Sequence, residues 1–122
     1  MMPAMDIPAV LSKQSLLTQT QIESLVMYQK VLSRDMTLKQ AAQARTPSPV
    51  TVGAFYRSVQ QGKRNLKASV TTLTLALWMG LVRSEELRKL LDQVGRGIPE
   101  LEVSEVERLE AVIMALVDRI VM

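Results

Sequence analysis

Apolar residues recur along this chain at intervals of three and four, the spacing that lines up one face of an α-helix. Over residues 18–33, Ile22, Leu25, Val26 and Leu32 share a face, Gln29 interrupts it, and Met27 and Val31 widen it. Over 37–44, Leu38, Ala41 and Ala42 point inward. Over 51–61, Val52, Phe55, Tyr56 and Val59 stand at i, i+3, i+4 and i+7. A further helix from residue 63 carries Leu66, Val70, Leu73 and Leu77, with Leu75, Trp78 and Met79 extending its apolar surface until about Gly80. The alternation of Leu73, Leu75 and Leu77 also fits a strand, but no neighbouring segment offers it a partner. The spacing therefore predicts a buried core helix over 68–82. Leu87, Leu90, Leu91 and Val94 mark a short helix over 85–94. The last helix carries Val103, Val106, Leu109, Ile113, Leu116 and Ile120. From Val106 these step by 3, 4, 3 and 4, the seam of a coiled coil, with Val112, Val117 and Val121 as a second strip.

Polar residues punctuate this pattern where helices start. Thr18 with Gln21, Thr37 with Gln40, and Ser104 with Glu107 each have the spacing of a capping box. Thr51 and Ser84 are predicted N-caps. Pro47 and Pro49 disfavour helix before them, Gly62 permits a bend or a break, and residues 95–99 form a clear interruption. Residues 1–15, with Pro3 and Pro8, read as a loosely held arm with a short helix over 9–14. The expected fold is all-α: a helix-turn-helix region over 16–67, then a helical, dimerising half over 68–122, the two packed as one domain.

Composition narrows the chemistry. The 122 residues hold four aromatic side chains, Tyr28, Phe55, Tyr56 and Trp78, so the core must be aliphatic. There is no cysteine, which excludes disulfides and a zinc–thiolate site, and no histidine, the commonest general base and metal ligand. No catalytic set, cofactor or metal site is expected. Glu105, Glu107 and Glu110 read as a solvated face beside Arg108. The start of the chain lacks a charged segment before its apolar residues, so no secretory signal is read, and no run reaches the roughly 20 apolar residues of a membrane-spanning helix. A cytoplasmic protein without a membrane partner is the expectation.

The net charge of +3 hides an asymmetry. Residues 1–70 carry Lys13, Lys30, Arg34, Lys39, Arg45, Arg57, Lys63, Arg64 and Lys67 against Asp6, Glu23 and Asp35. In residues 71–122 nine acids outnumber six bases. A basic front half suggests a polyanionic partner. The stretch 36–67 has the outline of a helix-turn-helix, whose second helix enters the DNA major groove. The candidates for base readout are Thr51, Gly53, Ala54, Arg57, Ser58 and Gln61; those for phosphate contact are Lys39, Arg45, Lys63, Arg64 and Lys67. Val106, Leu109, Ile113, Leu116 and Ile120 are the candidate dimer interface.

Thr18-Gln19-Thr20-Gln21-Ile22-Glu23, Met36-Thr37-Leu38-Lys39-Gln40-Ala41-Ala42, Val50-Thr51-Val52-Gly53-Ala54-Phe55-Tyr56-Arg57 and Gly62-Lys63-Arg64-Asn65-Leu66 together resemble sigma-factor region four and related transcriptional regulators. The resemblance covers about residues 17–67. It implies a supporting helix over 38–44 and a recognition helix over 52–61. The connection over 45–50 is longer than that family's turn and carries two prolines. Double-stranded DNA and a second copy of the chain are the expected partners. The alternative is a non-enzymatic interaction module whose last helix docks on another protein.

Overall fold

The structure is a computed structural model and describes residues 9–95 and 103–122. Among them lie six helices: α1 (Ala9–Gln14), α2 (Gln19–Leu32), α3 (Leu38–Gln43), α4 (Val52–Trp78), α5 (Ser84–Gly95) and α6 (Val103–Ile120). The fold is all-α, as the periodicity predicts. None of these helices is long and apolar enough to cross a membrane. The chain divides into two compact units, one of Ser12–Ser69 and one of Val70–Met122 with the start of α1.

Local chemistry sets the helix ends in the first unit. Thr18 and Thr37 each accept from a backbone N–H three residues on, while Gln21 and Gln40 reach back to the cap's own N–H, forming two complete capping boxes. Thr51 Oγ1 accepts from the Ala54 N–H at 3.1 Å and starts α4. After α2, the Asp35 N–H donates to the Lys30 carbonyl and the Arg34 N–H to the Val31 carbonyl, with Arg34 at φ 63°. This is a Schellman stop with an arginine where glycine is usual.

Ala41, Ala42, Phe55 and Val59 form the core of this unit, fully or almost fully buried. Leu25, Met27, Tyr28, Val31, Met36, Leu38 and Val50 pack around them. The alanines let α3 come close, as their size predicts. Three sequence expectations fail here. Leu32, Val52 and Tyr56 are exposed: Leu32 is the last residue of α2, Val52 is the first of α4, and Tyr56 stands about 100° around the helix from Phe55. Gly62 neither bends nor ends a helix. It is buried in mid-α4, where an added Cβ would stand 2.8 Å from Leu25 Cδ1, so it permits close approach of α2 and α4. No separate helix starts at Lys63, since α4 runs unbroken for 27 residues.

In the second unit α5 and α6 pack on each other. Val82, Ile113, Leu116 and Ile120 are its buried apolar residues, and Val82 and Val121 form an isolated antiparallel bridge. Ser84 and Ser104 lie inside their helices, not at the caps; the Leu87 N–H donates to the Arg83 carbonyl, which makes Arg83 the cap of α5. Residues 68–82 are not a buried core helix. Val70, Leu75, Leu77, Trp78, Met79 and Leu81 are all exposed, Trp78 at 89%. Gly80, at φ +72°, closes α4 with the Leu81 N–H donating to the Ala76 carbonyl. The arm over residues 1–8 and most of the interruption over 95–99 lie outside the described residues.

Candidate nucleic-acid interface

One side of α4 is held by the protein and the other is bare. On the held side, a row of contacts ties α4 to α2. Ser24 Oγ donates to Ser58 Oγ at 2.8 Å in the buried interior. Gly62 abuts Leu25. The Lys63 ammonium lies 4.6 Å from the centre of the Tyr28 ring, a cation–π geometry, and 3.4 Å from its hydroxyl. Asn65 Nδ2 donates to Gln21 Oε1 at 3.0 Å.

The turn before α4 is held by a second polar set. Arg45 Nε donates to Glu23 Oε1 at 2.8 Å, and Arg45 Nη1 donates to Ser24 Oγ. Glu23 Oε1 also accepts from the Thr46 N–H at 2.8 Å, and its Oε2 from the Thr46 hydroxyl at 2.6 Å. Burial of the Glu23 carboxylate on its own would raise its pKa. The Thr46 hydroxyl, the Thr46 N–H and the Arg45 guanidinium together outweigh that and hold it below the ordinary glutamate range. The set fixes both the turn and the start of α4 against α2.

The solvent-facing side follows the spacing 4, 3, 4, 3: Gly53, Arg57, Gln60, Arg64 and Lys67, with Gln61 adjacent. All but Gln60 are exposed. Arg57 and Arg64 are seven residues apart, so their backbones stand about 10.5 Å apart along the axis. A Cβ at Gly53 would meet nothing within 4 Å, so the protein's own packing does not demand glycine there. Exposed Thr51 and Tyr56 flank the stripe, and Lys39 is exposed on α3. Once Arg45 is paired with Glu23, Asp35 is the one acid left in residues 12–69, beside eight cations.

The structure therefore keeps part of the sequence-derived set and removes the rest. Thr51, Gly53, Arg57, Gln61, Arg64, Lys67 and Lys39 are exposed, and Ala54 and Lys63 are half-buried. Ser58, at 8% exposure, is no base reader, because it bonds Ser24 inside the unit. Arg45, at 7%, is no phosphate contact, because its guanidinium is committed to Glu23 and Ser24. Ile113, Leu116 and Ile120 are buried within the chain and Leu109 is half-buried, so this seam is not an open dimer face; the Val106 side chain lies outside the described residues. Sequence reading missed Glu23, Ser24 and Thr46. The available signal was the run Gln21, Ser24, Tyr28, Val31 at 3, 4, 3, a helical face with polar members. Among the described residues no acidic cluster could hold a metal ion. No known protein family, curated protein or solved structure matches this chain.

Proposed function

We propose that this chain binds double-stranded DNA sequence-specifically, as a small transcriptional regulator, with the first turns of α4 in the major groove. The observation that carries the reading is the exposed stripe of Gly53, Arg57, Gln61, Arg64 and Lys67, directly opposite the buried face Phe55, Val59 and Gly62. A helix held on one side by a core and bare on the other is what groove entry needs. Gly53 lets the helix start approach base edges. Arg57 is placed to read guanine bidentately. Arg64, Lys67 and Lys39 answer phosphates, and the cationic surface steers the encounter. The resemblance to sigma-factor region four supports the same helix pair, α3 and α4. In this reading the protein acts by binding and performs no chemistry. The buried seam of α6 gives no support to the alternative in which that helix docks on another protein.

The test is fluorescence anisotropy on random duplex and on duplexes chosen by site selection, over a salt series. Arg57→Ala should cost about 1–3 kcal/mol on selected sites and much less on random DNA. Arg64→Ala with Lys67→Ala should weaken both and make the logarithmic salt slope shallower by about 2. Gly53→Leu adds bulk only to the solvent-facing side, so it should reduce binding without lowering the unfolding midpoint. Wild type that fails to bind at low salt would sink the reading.

A further inference from the structure

The apolar stripe of α4 is covered over its first half and bare over its second. Phe55, Val59, Gly62 and Leu66 step by 4, 3 and 4; Leu66, Val70, Leu73 and Leu77 continue with 4, 3 and 4. In the first stretch Phe55, Val59 and Gly62 are buried in the first unit's core. In the second, Leu66, Val70 and Leu77 are 46%, 64% and 41% exposed, and Leu73 is half-buried. The spacing is that of a coiled-coil seam, which needs a second helix to fill it. Leu75, Trp78 and Met79 of this half are exposed as well, beside the uncharged Thr71, Thr72 and Thr74.

We propose that the half of α4 from Leu66 to Leu77 is a self-association surface, which pairs with the same stripe of a second copy of this chain, the two helices antiparallel. Three observations select a second copy as the occupant. First, residues 68–82 contain no charged side chain, so the stripe meets its own copy without like-charge repulsion and offers a charged partner nothing to read. Second, a two-fold contact must be self-complementary, and a 4, 3, 4 stripe centred between Val70 and Leu73 layers onto itself, Leu66 against Leu77 and Val70 against Leu73. Third, the area suffices. The exposed parts of Leu66, Val70 and Leu77, with Trp78 and Leu81 just beyond the stripe, present on the order of 600 Å² per chain, the low end of specific interfaces and the size of a weak, concentration-dependent pair. The antiparallel sense follows from charge. A parallel pair would set Lys63, Arg64 and Lys67 of the two chains side by side, whereas an antiparallel pair parts them.

Sedimentation of the full chain without DNA tests this independently of the DNA reading. Wild type should run with the mass of two 13.6 kDa chains at high micromolar concentration. Val70→Glu with Leu77→Glu should run as one chain, with helical circular dichroism retained because both positions are exposed. Val112→Glu with Val117→Glu, exposed on α6, should leave the dimer intact. A monomeric wild type, a stripe variant that stays dimeric, or a dimer lost through the α6 pair each overturns the proposal. The chain has no cysteine, so engineered thiols report cleanly. A mixture of Val70→Cys and Leu73→Cys chains should form the mixed disulfide; predominance of the Val70→Cys homodisulfide overturns the antiparallel sense.

Discussion

The two units use their apolar residues in opposite ways. The first buries a small set completely: Ala41, Ala42, Phe55 and Val59. It then adds a buried polar set, Ser24, Arg45 and Ser58, whose members bond one another and Glu23. The second is richer in large apolar side chains and leaves most of them exposed, from Val70, Leu75, Leu77 and Trp78 on α4 to Leu91, Val94, Val112, Val117 and Val121. Hydrophobicity along a sequence thus does not measure burial. What closes a core is shape and hydrogen-bond completion, and a unit with abundant apolar surface and few buried residues is one suited to meeting a partner.

Substitutions can break this contrast or sharpen it. The largest effect is expected at Phe55, fully buried at the heart of the first unit. Phe55→Ala should cost about 3–5 kcal/mol in urea unfolding, the range for emptying a buried aromatic site. Next comes Arg45→Ala, which leaves Glu23 with Thr46 alone and Ser24 with Ser58 alone. Removing one partner of a buried pair costs about 3–5 kcal/mol; because Glu23 keeps 28% of its side chain in solvent, the expected loss is roughly 2–3 kcal/mol. Replacing Arg45 and Glu23 together, by Met and Gln, should recover part of it.

Acidification probes the same set more gently. Glu23 has a folded pKa below its ordinary value of 4.5, so the stability it contributes is fully present above that value and is lost as pH falls through the lower, folded one. Unfolding midpoints of wild type should therefore drop on acidification below about pH 4.5, while Glu23→Gln should lack that component of the drop. The smallest effect belongs to the largest side chain. Trp78, 89% exposed, should change the stability of the dissociated chain by no more than about 0.5 kcal/mol when replaced by Ala. If Trp78→Ala matched Phe55→Ala in dilute solution, the contrast between the units would be wrong.

What was readable in the sequence was mostly local. The Thr18–Gln21 and Thr37–Gln40 boxes, the Thr51 cap and the short helix at 9–14 depend on neighbours within four residues, and all appear where the sequence placed them. What was hidden depends on partners far along the chain. Ser58 and Arg45 look like surface residues because their partners, Ser24 and Glu23, lie 34 and 22 positions away. Gly62 has two readings, helix breaker or close-approach residue, and only the position of Leu25 decides between them. The α6 spacing announced a seam correctly but could not say which surface fills it. Ile113, Leu116 and Ile120 are buried inside their own chain. The exposed positions Gly53, Arg57 and Gln61 were legible from periodicity; their continuation through Arg64 on one unbroken helix, and the polar set behind them, were not.

Because α4 is one uninterrupted helix, it works as a protractor as well as a ruler. The basic stripe through Arg57 and Arg64 and the apolar stripe through Val70 and Leu77 are cut into the same rod, so their angular phase is fixed by residue count alone. One alanine inserted at positions 68–69 would turn the second stripe by about 100° against the first while lengthening the rod by about 1.5 Å. Seven inserted residues would bring the phase back to within about 20° but lengthen it by about 10.5 Å. On the proposed readings of the two stripes, an insertion series at that point would separate the effect of direction from that of distance.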